Sequence, residues 1–164
     1  MRTLYLLRHA KSTWKDNSQV DFERPLARRG RRACMLLAAF IQANEIKFDL
    51  IFSSTAVRAR ETIELIRQQA KLTNELRFDE RLYDASAQRI IEVVSELADG
   101  PKSVMVVGHN PGLEHVVNFI SVEQQQFPTA ALAKIKVKGS KWPDLDLKFA
   151  TLEWVVRPKE LEQH

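Results

Sequence analysis

Short runs of apolar strand-forming residues alternate with longer segments of helical periodicity along this chain. The extended runs lie at 3–7, 48–52, 103–107, 131–137 and 149–156, with a short piece near 76–78. Between the earlier runs, apolar residues recur at i, i+3, i+4 and i+7 in the segments 33–41, 59–70, 90–97 and 113–120. Strands that alternate with helices favour a mostly parallel sheet covered on both faces. We therefore predict an α/β fold, a three-layer α/β/α sandwich.

The last two extended runs are joined by the stretch KGSKWPDLD, in which Gly139 and Pro143 mark a turn. Such a connection predicts an antiparallel hairpin at the edge of the sheet. The chain has 164 residues, of which 45% are hydrophobic and 28% charged. This composition is enough for one ordinary core, so we expect a single domain over residues 1–164.

Cysteine use and hydropathy argue against a disulfide-bonded protein, a cysteine-based metal or phosphatase site and a membrane-spanning protein. Cys34 is the only cysteine, so neither an internal disulfide nor a cysteine metal cluster can form. Its helical spacing with Leu37 and Ile41 predicts a buried thiol, and a cysteine-dependent phosphatase loop would need an arginine where Phe40 stands. No apolar run approaches the roughly 20 residues that span a bilayer, and no leader is recognisable. We expect a cytoplasmic protein without a membrane partner.

Charged and nucleophilic side chains follow three of the predicted strands. Arg8 and His9 end the first strand, the stretch FSSTAVRARET with Arg58 ends the second, and GHNPGLEH with His109 ends the strand at 103–107. In open α/β sheets, ligands bind at the carboxyl ends of the strands, where the next helix begins. Pro111 predicts the first turn of such a helix, which favours an anion beside His109 and Asn110.

The side chains at these strand ends suit a phosphoryl group. Arginine offers forked, charge-assisted donors to its oxygens, and a neutral imidazole can attack phosphorus. Arg58 and Arg60 lie about 200° apart around a helix, so only one of them can enter the pocket. We expect that one to be Arg58.

A run of arginines precedes and enters the first predicted helix. The net charge is +4, and the run comprises Arg24, Arg28, Arg29, Arg31 and Arg32. Cations at a helix amino terminus oppose the macrodipole, so the stability of the helix does not explain why arginines occur there. We favour a solvated charged face over a docking surface for an acidic protein or a nucleic acid, and the second interpretation stays open.

Five ordered motifs carry a family resemblance. The stretches LLRHAKSTW, DFERPLARRG, SSTAVRARET, DERLY and VVGHNPGLEH resemble the successive signatures of the histidine phosphatase superfamily. The RHAKS-type opening together with GHNPG is similar to its phosphohistidine phosphatase SixA-like branch. The resemblance extends over nearly the whole chain and implies a phosphoglycerate mutase-like fold.

The resemblance also implies roles for individual residues. His9 would be the nucleophile that becomes transiently phosphorylated, Arg8 and Arg58 would bind the phosphoryl oxygens, and His109 would complete the pocket. Ser12 and Asn110 are further candidates for phosphate binding, as is Lys11.

The general acid position of the family matches Glu80 in the DERLY motif. Asp79 and Asp84 are its neighbours, and spacing alone does not choose among the three carboxylates. An alkoxide leaving group needs such an acid more than an imidazole does.

The motifs and the arginine run are compatible with three functions. The favoured one is a phosphatase for phosphohistidine in a protein, such as a histidine phosphotransfer domain. The second is a phosphomonoesterase acting on a small phosphate ester, and the third is a basic binding module for nucleic acid or an acidic protein. No nucleic-acid partner is expected, and neither a Walker loop nor an H-E-x-x-H helix occurs, so we expect no metal and no cofactor.

Departures from the wider family narrow the choice. Ala10 follows the nucleophile where many members have glycine, and Lys15 stands where mutase relatives have an asparagine. These features and the short chain argue against a sugar-phosphate mutase. Trp14 and Phe22 lie on the loop after His9, where they either border the pocket or pack on the core.

Overall fold

The structure is a computed structural model that describes residues 1–16, 18–139 and 141–162, so the terminal His164 lies outside the described residues. The strands are β1 Arg2–Arg8, β2 Leu50–Ser53, β3 Glu75–Phe78, β4 Ser103–Gly108, β5 Leu132–Val137 and β6 Ala150–Val156. The helices are α1 Arg28–Ala43, α2 Val57–Ala70, α3 Ala87–Ser95, α4 Gly112–Ile120 and α5 Pro158–Leu161. Short 3-10 turns lie at Asp21–Glu23, Glu80–Leu82, Trp142–Asp144 and Leu147–Phe149.

The strands form one six-stranded sheet with the order β3-β2-β4-β1-β5-β6. Neighbouring strands are parallel from β3 to β1, whereas β5 runs antiparallel to both β1 and β6. The predicted mostly parallel sheet and its antiparallel edge hairpin are therefore confirmed.

Each face of the sheet carries its own apolar core. In β1, Leu4 and Leu6 join the cluster that packs under α3 and α4, while Tyr5 and Leu7 join the cluster under α1 and α2. The same alternation occurs in β4. A central strand that is buried on both faces has a continuous run of apolar residues. Such runs in β1 and β4 are why the sequence pattern predicted these strands. The three-layer α/β/α sandwich is confirmed.

The carboxyl ends of the central strands meet at one edge. Arg8 at the end of β1 pairs with Gly108 at the end of β4, and Ser53 of β2 pairs with Val107. The helices α1, α2 and α4 begin at this edge, and α4 begins at Gly112 with Pro111 as its N-cap. Side chains that directly follow these strands are thereby brought together.

Two further expectations concern burial and membranes. Cys34 is fully buried on α1, and burial raises the pKa of its thiol to about 12, so the thiol is a small apolar side chain as predicted. Among the described residues, the helices are too short or too polar to cross a bilayer.

Candidate active site

His9 and His109 face each other across the ends of β1 and β4. The backbone nitrogen of His9 donates to the Gly108 carbonyl at 3.0 Å, which continues the β1–β4 pairing by one residue. The two imidazole centroids are 5.0 Å apart, and the side chains are buried except for 7% and 5% of their surface. Two neighbouring strands thus deliver two imidazoles to one site.

A backbone contact fixes the tautomer of His9. Its Nδ1 lies 2.7 Å from the carbonyl oxygen of Ala10. A carbonyl only accepts hydrogen bonds, so Nδ1 carries the proton and Nε2 keeps its lone pair. Nε2 lies 3.4 Å from Nε of Arg58, which donates to it. The unprotonated nitrogen therefore faces the arginine.

The tautomer of His109 is fixed by two side chains. Its Nδ1 lies 3.4 Å from Nη2 of Arg58, a group that can only donate. Its Nε2 lies 2.8 Å from the Ser54 hydroxyl oxygen and donates to it. Ser54 directly follows β2, so the end of that strand and helix α2 together hold the imidazole that β4 carries.

Both imidazoles are neutral at physiological pH. Burial lowers the pKa of His9 to about 3, and the positive charges of Arg58 and Arg8 act in the same direction. Burial and the Arg58 charge lower the pKa of His109 to about 4. A neutral imidazole is the form that can attack an electrophile.

Helix α2 directs Arg58 into the site and Arg60 away from it. Arg58 is buried together with Ala59 and Thr62, whereas the Arg60 guanidinium stacks over the Phe78 ring at 4.0 Å, outside the pocket. Thr62 ties this helix to the loop after His9, because its hydroxyl accepts from the Ala10 nitrogen at 2.9 Å. The helical phase thus separates the two arginines as the spacing predicts.

Arg8 also borders the pocket. Its Nη1 donates to the Phe127 carbonyl at 3.3 Å, and its Nε is buried without a partner among the described residues. Burial lowers the pKa of its guanidinium. An unused buried donor next to Arg58 is suited to an oxygen of a bound anion.

Four residues line the pocket although the sequence pattern did not assign them to it, namely Asp21, Arg24, Tyr83 and Thr129. The Asp21 carboxylate accepts hydrogen bonds from Arg24 at 2.9 Å, from Arg58 at 3.0 Å and from the Tyr83 hydroxyl at 2.6 Å. These contacts, that of Tyr83 first, lower the pKa of Asp21 to about 2. Asp21 is therefore negatively charged at physiological pH, and its carboxylate contacts Arg58, the candidate phosphate-binding arginine.

Arg24 corrects the interpretation of the arginine run. We predicted a solvated face, but Arg24 is buried and lines the pocket, where it donates to Ser12 Oγ and lies 3.1 Å from the Trp14 ring centroid. The bridge between Ser12 and Leu26 brings it there. The remaining four arginines of the run are exposed, as predicted.

The other predicted site residues divide into two groups. Ser12, Lys11 and Asn110 line the pocket, and the Asn110 amide nitrogen donates to the Phe127 carbonyl at 2.8 Å. Glu80 is exposed at the start of a 3-10 turn and does not line the pocket, whereas Asp84 does. The role of Glu80 as general acid stays a prediction.

These residues enclose an open pocket of about 320 Å³ at the carboxyl edge of the sheet. Its lining comprises Arg8, His9, Lys11, Ser12, Trp14, Asp21, Arg24, Arg58, Tyr83, Asp84, His109, Asn110 and Thr129. Within the described ranges, no three His, Cys, Asp or Glu side chains cluster as a metal ion would require. The pocket can hold a phosphoryl group between arginines with a neutral imidazole beside it.

Comparisons with known proteins agree with this geometry. Residues 4–89 match the family model of the histidine phosphatase superfamily (branch 1). An uncharacterized protein of Mycobacterium tuberculosis (strain ATCC 25618 / H37Rv) is 34% identical in an alignment of 157 positions that covers 89% of this chain and 96% of the relative. The region that matches the family model, residues 4–89, begins in β1 and contains His9, Arg58 and Glu80.

Solved structures share the fold over nearly the whole chain. A SixA-type protein of Agrobacterium tumefaciens superposes with a TM-score of 0.82 at 26% identity, covering 96% of this chain and 98% of that one. The protein histidine phosphatase SixA complexed with tungstate has a TM-score of 0.81 at 21% identity, with 97% and 99% covered. Motifs, fold and pocket agree, and the chain belongs to the histidine phosphatase superfamily, with a structure close to its SixA members.

Proposed function

We propose that this protein is a phosphohistidine phosphatase, which hydrolyses phosphohistidine carried by another protein through a transient phosphohistidine on His9. The observation that carries the proposal is the tautomer of His9. Its Nδ1 proton is held by the Ala10 carbonyl, so the unprotonated Nε2 faces Arg58 in an open pocket lined by arginines. The similarity to the SixA-type protein of Agrobacterium tumefaciens supports the same substrate class.

The proposed reaction has two steps. Nε2 of His9 attacks phosphorus, the bond to the substrate imidazole breaks, and that imidazole leaves with the electron pair and takes up a proton. Water then attacks phosphorus, the bond to Nε2 breaks, and phosphate leaves. Arg8 and Arg58 would stabilise the phosphoryl oxygens in both steps, and the neutral His109 beside Arg58 would complete the pocket.

The carboxylates of the pocket favour an imidazole leaving group over an alkoxide. Asp21 has a pKa of about 2 and holds no proton to donate, and Glu80 lies outside the pocket. An alkoxide needs a positioned acid, while the demand of an imidazole is smaller. Asp84 on the rim is the one observation that favours the second candidate, a phosphomonoesterase acting on small esters.

We propose a metal-independent mechanism. The guanidiniums of Arg8, Arg24 and Arg58 all border the pocket and can supply the positive charge that phosphoryl transfer needs. The cytoplasmic location expected from the sequence stays a prediction, as does the histidine phosphotransfer domain as partner.

The test is phosphate release, with EDTA present, from a phosphohistidine protein and from p-nitrophenyl phosphate. We expect kcat/KM to favour the phosphohistidine protein, and His9→Ala to lower turnover at least about 10³-fold because no other nucleophile replaces it. His115→Ala is the matched control, because His115 is exposed on α4 away from the pocket. Quenching in alkali should trap a phosphoryl label on the wild-type enzyme and none on His9→Ala.

Each other outcome has a definite meaning. Turnover that survives His9→Ala removes the nucleophile assignment. A preference for the ester establishes the small-molecule phosphatase instead. Loss of activity with EDTA that zinc or magnesium restores contradicts the metal-independent mechanism.

A further inference from the structure

The first turn of α1 carries four exposed arginines that the chemistry of the pocket does not use. Arg28, Arg29, Arg31 and Arg32 form what we call the arginine turn. In the part of the chain that the structure describes, none of them forms an ion pair or a side-chain hydrogen bond. The helix has no acidic residue in this turn and no side-chain cap at Ala27. Four cations at an uncapped amino terminus oppose helix formation, so folding does not explain them.

The arginine turn is joined to the loop that follows the nucleophile. The Ala27 nitrogen donates to the Lys11 carbonyl at 2.9 Å, and a Cβ on Gly30 would overlap that same carbonyl oxygen. The Thr13 nitrogen donates to the Pro25 carbonyl at 2.9 Å. Lys11 lines the pocket two residues after His9, so the start of α1 packs against a loop that borders the pocket.

Exposed apolar side chains occupy the neighbouring loop. Trp14 is 66% exposed, Val20 is 61% exposed, and Phe22 is partly exposed. Trp14 lines the pocket with one ring face against Arg24, and Phe22 packs edge-on against Tyr83 at 5.1 Å. The pocket mouth is therefore bordered by a basic surface and by apolar edges, a combination found at protein interfaces.

We infer that the arginine turn is the docking surface for an acidic protein that presents the phosphorylated side chain to His9. The inference rests on the proposed function and names the charge of its protein substrate. Its basis is charge complementarity, because unpaired cations at the mouth attract an acidic surface and steer the encounter.

The pocket favours a protein over a nucleic acid as the occupant. His9 is only 7% exposed, so a phosphoryl group must enter on a projecting side chain rather than lie along a backbone.

The test compares two charge-reversal variants on two substrates. The docking variant is Arg29→Glu with Arg31→Glu, the two arginines that flank the loop-facing Gly30, and neither of them lines the pocket. The matched control is Lys47→Glu with Lys102→Glu, which makes the same change of net charge at exposed positions before β2 and β4, on the opposite edge of the sheet. The substrates are a phosphorylated histidine phosphotransfer domain of net negative charge and p-nitrophenyl phosphate.

We expect the docking variant to lower kcat/KM for the acidic phosphoprotein at least about 20-fold, mainly through KM, and to leave p-nitrophenyl phosphate within about twofold. The control variant should stay within about threefold on both substrates. For the wild type, raising NaCl from 50 to 300 mM should lower kcat/KM for the phosphoprotein about tenfold, and the docking variant should lose most of this dependence.

Other outcomes overturn the inference in separable ways. His9-dependent turnover of the phosphoprotein that ignores the reversal removes the docking surface and leaves the proposed function standing. Equal losses on both substrates mean that the arginines act on the pocket itself. Failure of the wild type to dephosphorylate the phosphoprotein removes the proposed function and the inference together. Reversal that weakens binding of a single-stranded RNA but spares phosphoprotein turnover assigns the surface to nucleic acid.

Discussion

The Asp21 carboxylate lies 3.0 Å from Nη2 of Arg58, and the Asp21 carbonyl oxygen accepts a second hydrogen bond from Nη1 of the same guanidinium at 2.8 Å. The remaining Nε of Arg58 faces His9. An acidic residue of the loop between β1 and α1 therefore engages the arginine that faces both histidines. Under the proposed function, a bound phosphoryl group competes with this carboxylate for Arg58.

Asp21→Asn should strengthen the binding of inorganic phosphate. The substitution removes a negative charge beside Arg24 and Arg58 and keeps a side chain of the same shape. We expect the inhibition constant of phosphate to fall about fivefold, the size of a partly exposed ion pair. Asp16→Asn removes the same charge from the same loop without a pocket contact and should have no effect. Weaker phosphate inhibition in Asp21→Asn would show that the acid orients Arg58 rather than competes with phosphate.

The two arginines of α2 should differ sharply in their effect on activity. Arg58→Ala removes a buried donor group that faces both imidazoles, so we expect kcat/KM to fall about 10³-fold. Arg60→Ala removes only the stacking on Phe78 and should leave kcat/KM within about twofold. The measurement is kcat/KM of both variants, after circular dichroism has shown that they are folded. An Arg58→Ala variant with wild-type kcat/KM would contradict the assignment of Arg58 to the active site.

Asp84 and Glu80 can be separated by their effect on two leaving groups. Asp84 lines the pocket and Glu80 does not, so Asp84→Asn should slow hydrolysis of alkyl phosphate esters, whose alkoxide leaving group needs an acid, about 10-fold or more. It should slow phosphohistidine hydrolysis less than about threefold, because the imidazole needs less assistance. Glu80→Gln serves as the control. A large ester-specific loss in Glu80→Gln would return the general acid role to Glu80.

Gly30→Ala should destabilise the protein and disturb the site together. Its new Cβ would overlap the Lys11 carbonyl oxygen, a backbone atom that cannot move without shifting the loop after His9. We expect a loss of about 1–3 kcal/mol in the free energy of unfolding, measured with urea. At Gly108 a Cβ would meet only Leu113 side-chain atoms at 3.8 Å or more, so Gly108→Ala should cost less. Equal stability of the two variants would refute this account of the close approach.

Acid should weaken the fold through the two pocket histidines. Their pKa values are about 3 and about 4 in the folded state, below the 6.5 of an unfolded chain. Between these values the unfolded chain binds more protons, so stability is fully present above pH 6.5 and falls as pH is lowered towards 4. Each histidine contributes up to about 1.4 kcal/mol per pH unit.

The control for this pH effect is a double variant, His9→Gln with His109→Gln. Its urea unfolding free energy should fall less between pH 7 and pH 5 than that of the wild type. Parallel declines in the two proteins would mean that other groups cause the acid sensitivity. The acid limb of kcat/KM for the wild type should lie near pH 3 rather than near 6.5, because His9, with a pKa of about 3, must be neutral to attack.

The sequence by itself determined the layered α/β fold and the edge where the site lies. Period-two and period-3.6 apolar patterns are local properties, and they identified β1, β2, β4 and the helices between them. Residues that directly end parallel strands must meet at one edge, which brought His9 and His109 together in prediction as in the structure. Helical phase likewise separated Arg58 from Arg60 without any tertiary information.

Only the tertiary structure decided which loop side chains enter the pocket. The segment between β1 and α1 has no apolar period, so side-chain direction there depends on partners far along the chain. Asp21 enters the pocket because Arg58 and Tyr83 hold it, 37 and 62 residues away. Arg24 is buried because the segment before α1 pairs with Ser12, whereas its sequence neighbours stay exposed. Spacing could not choose between Glu80 and Asp84 either. Both lie in an irregular segment, where long-range contacts fix the direction of each side chain.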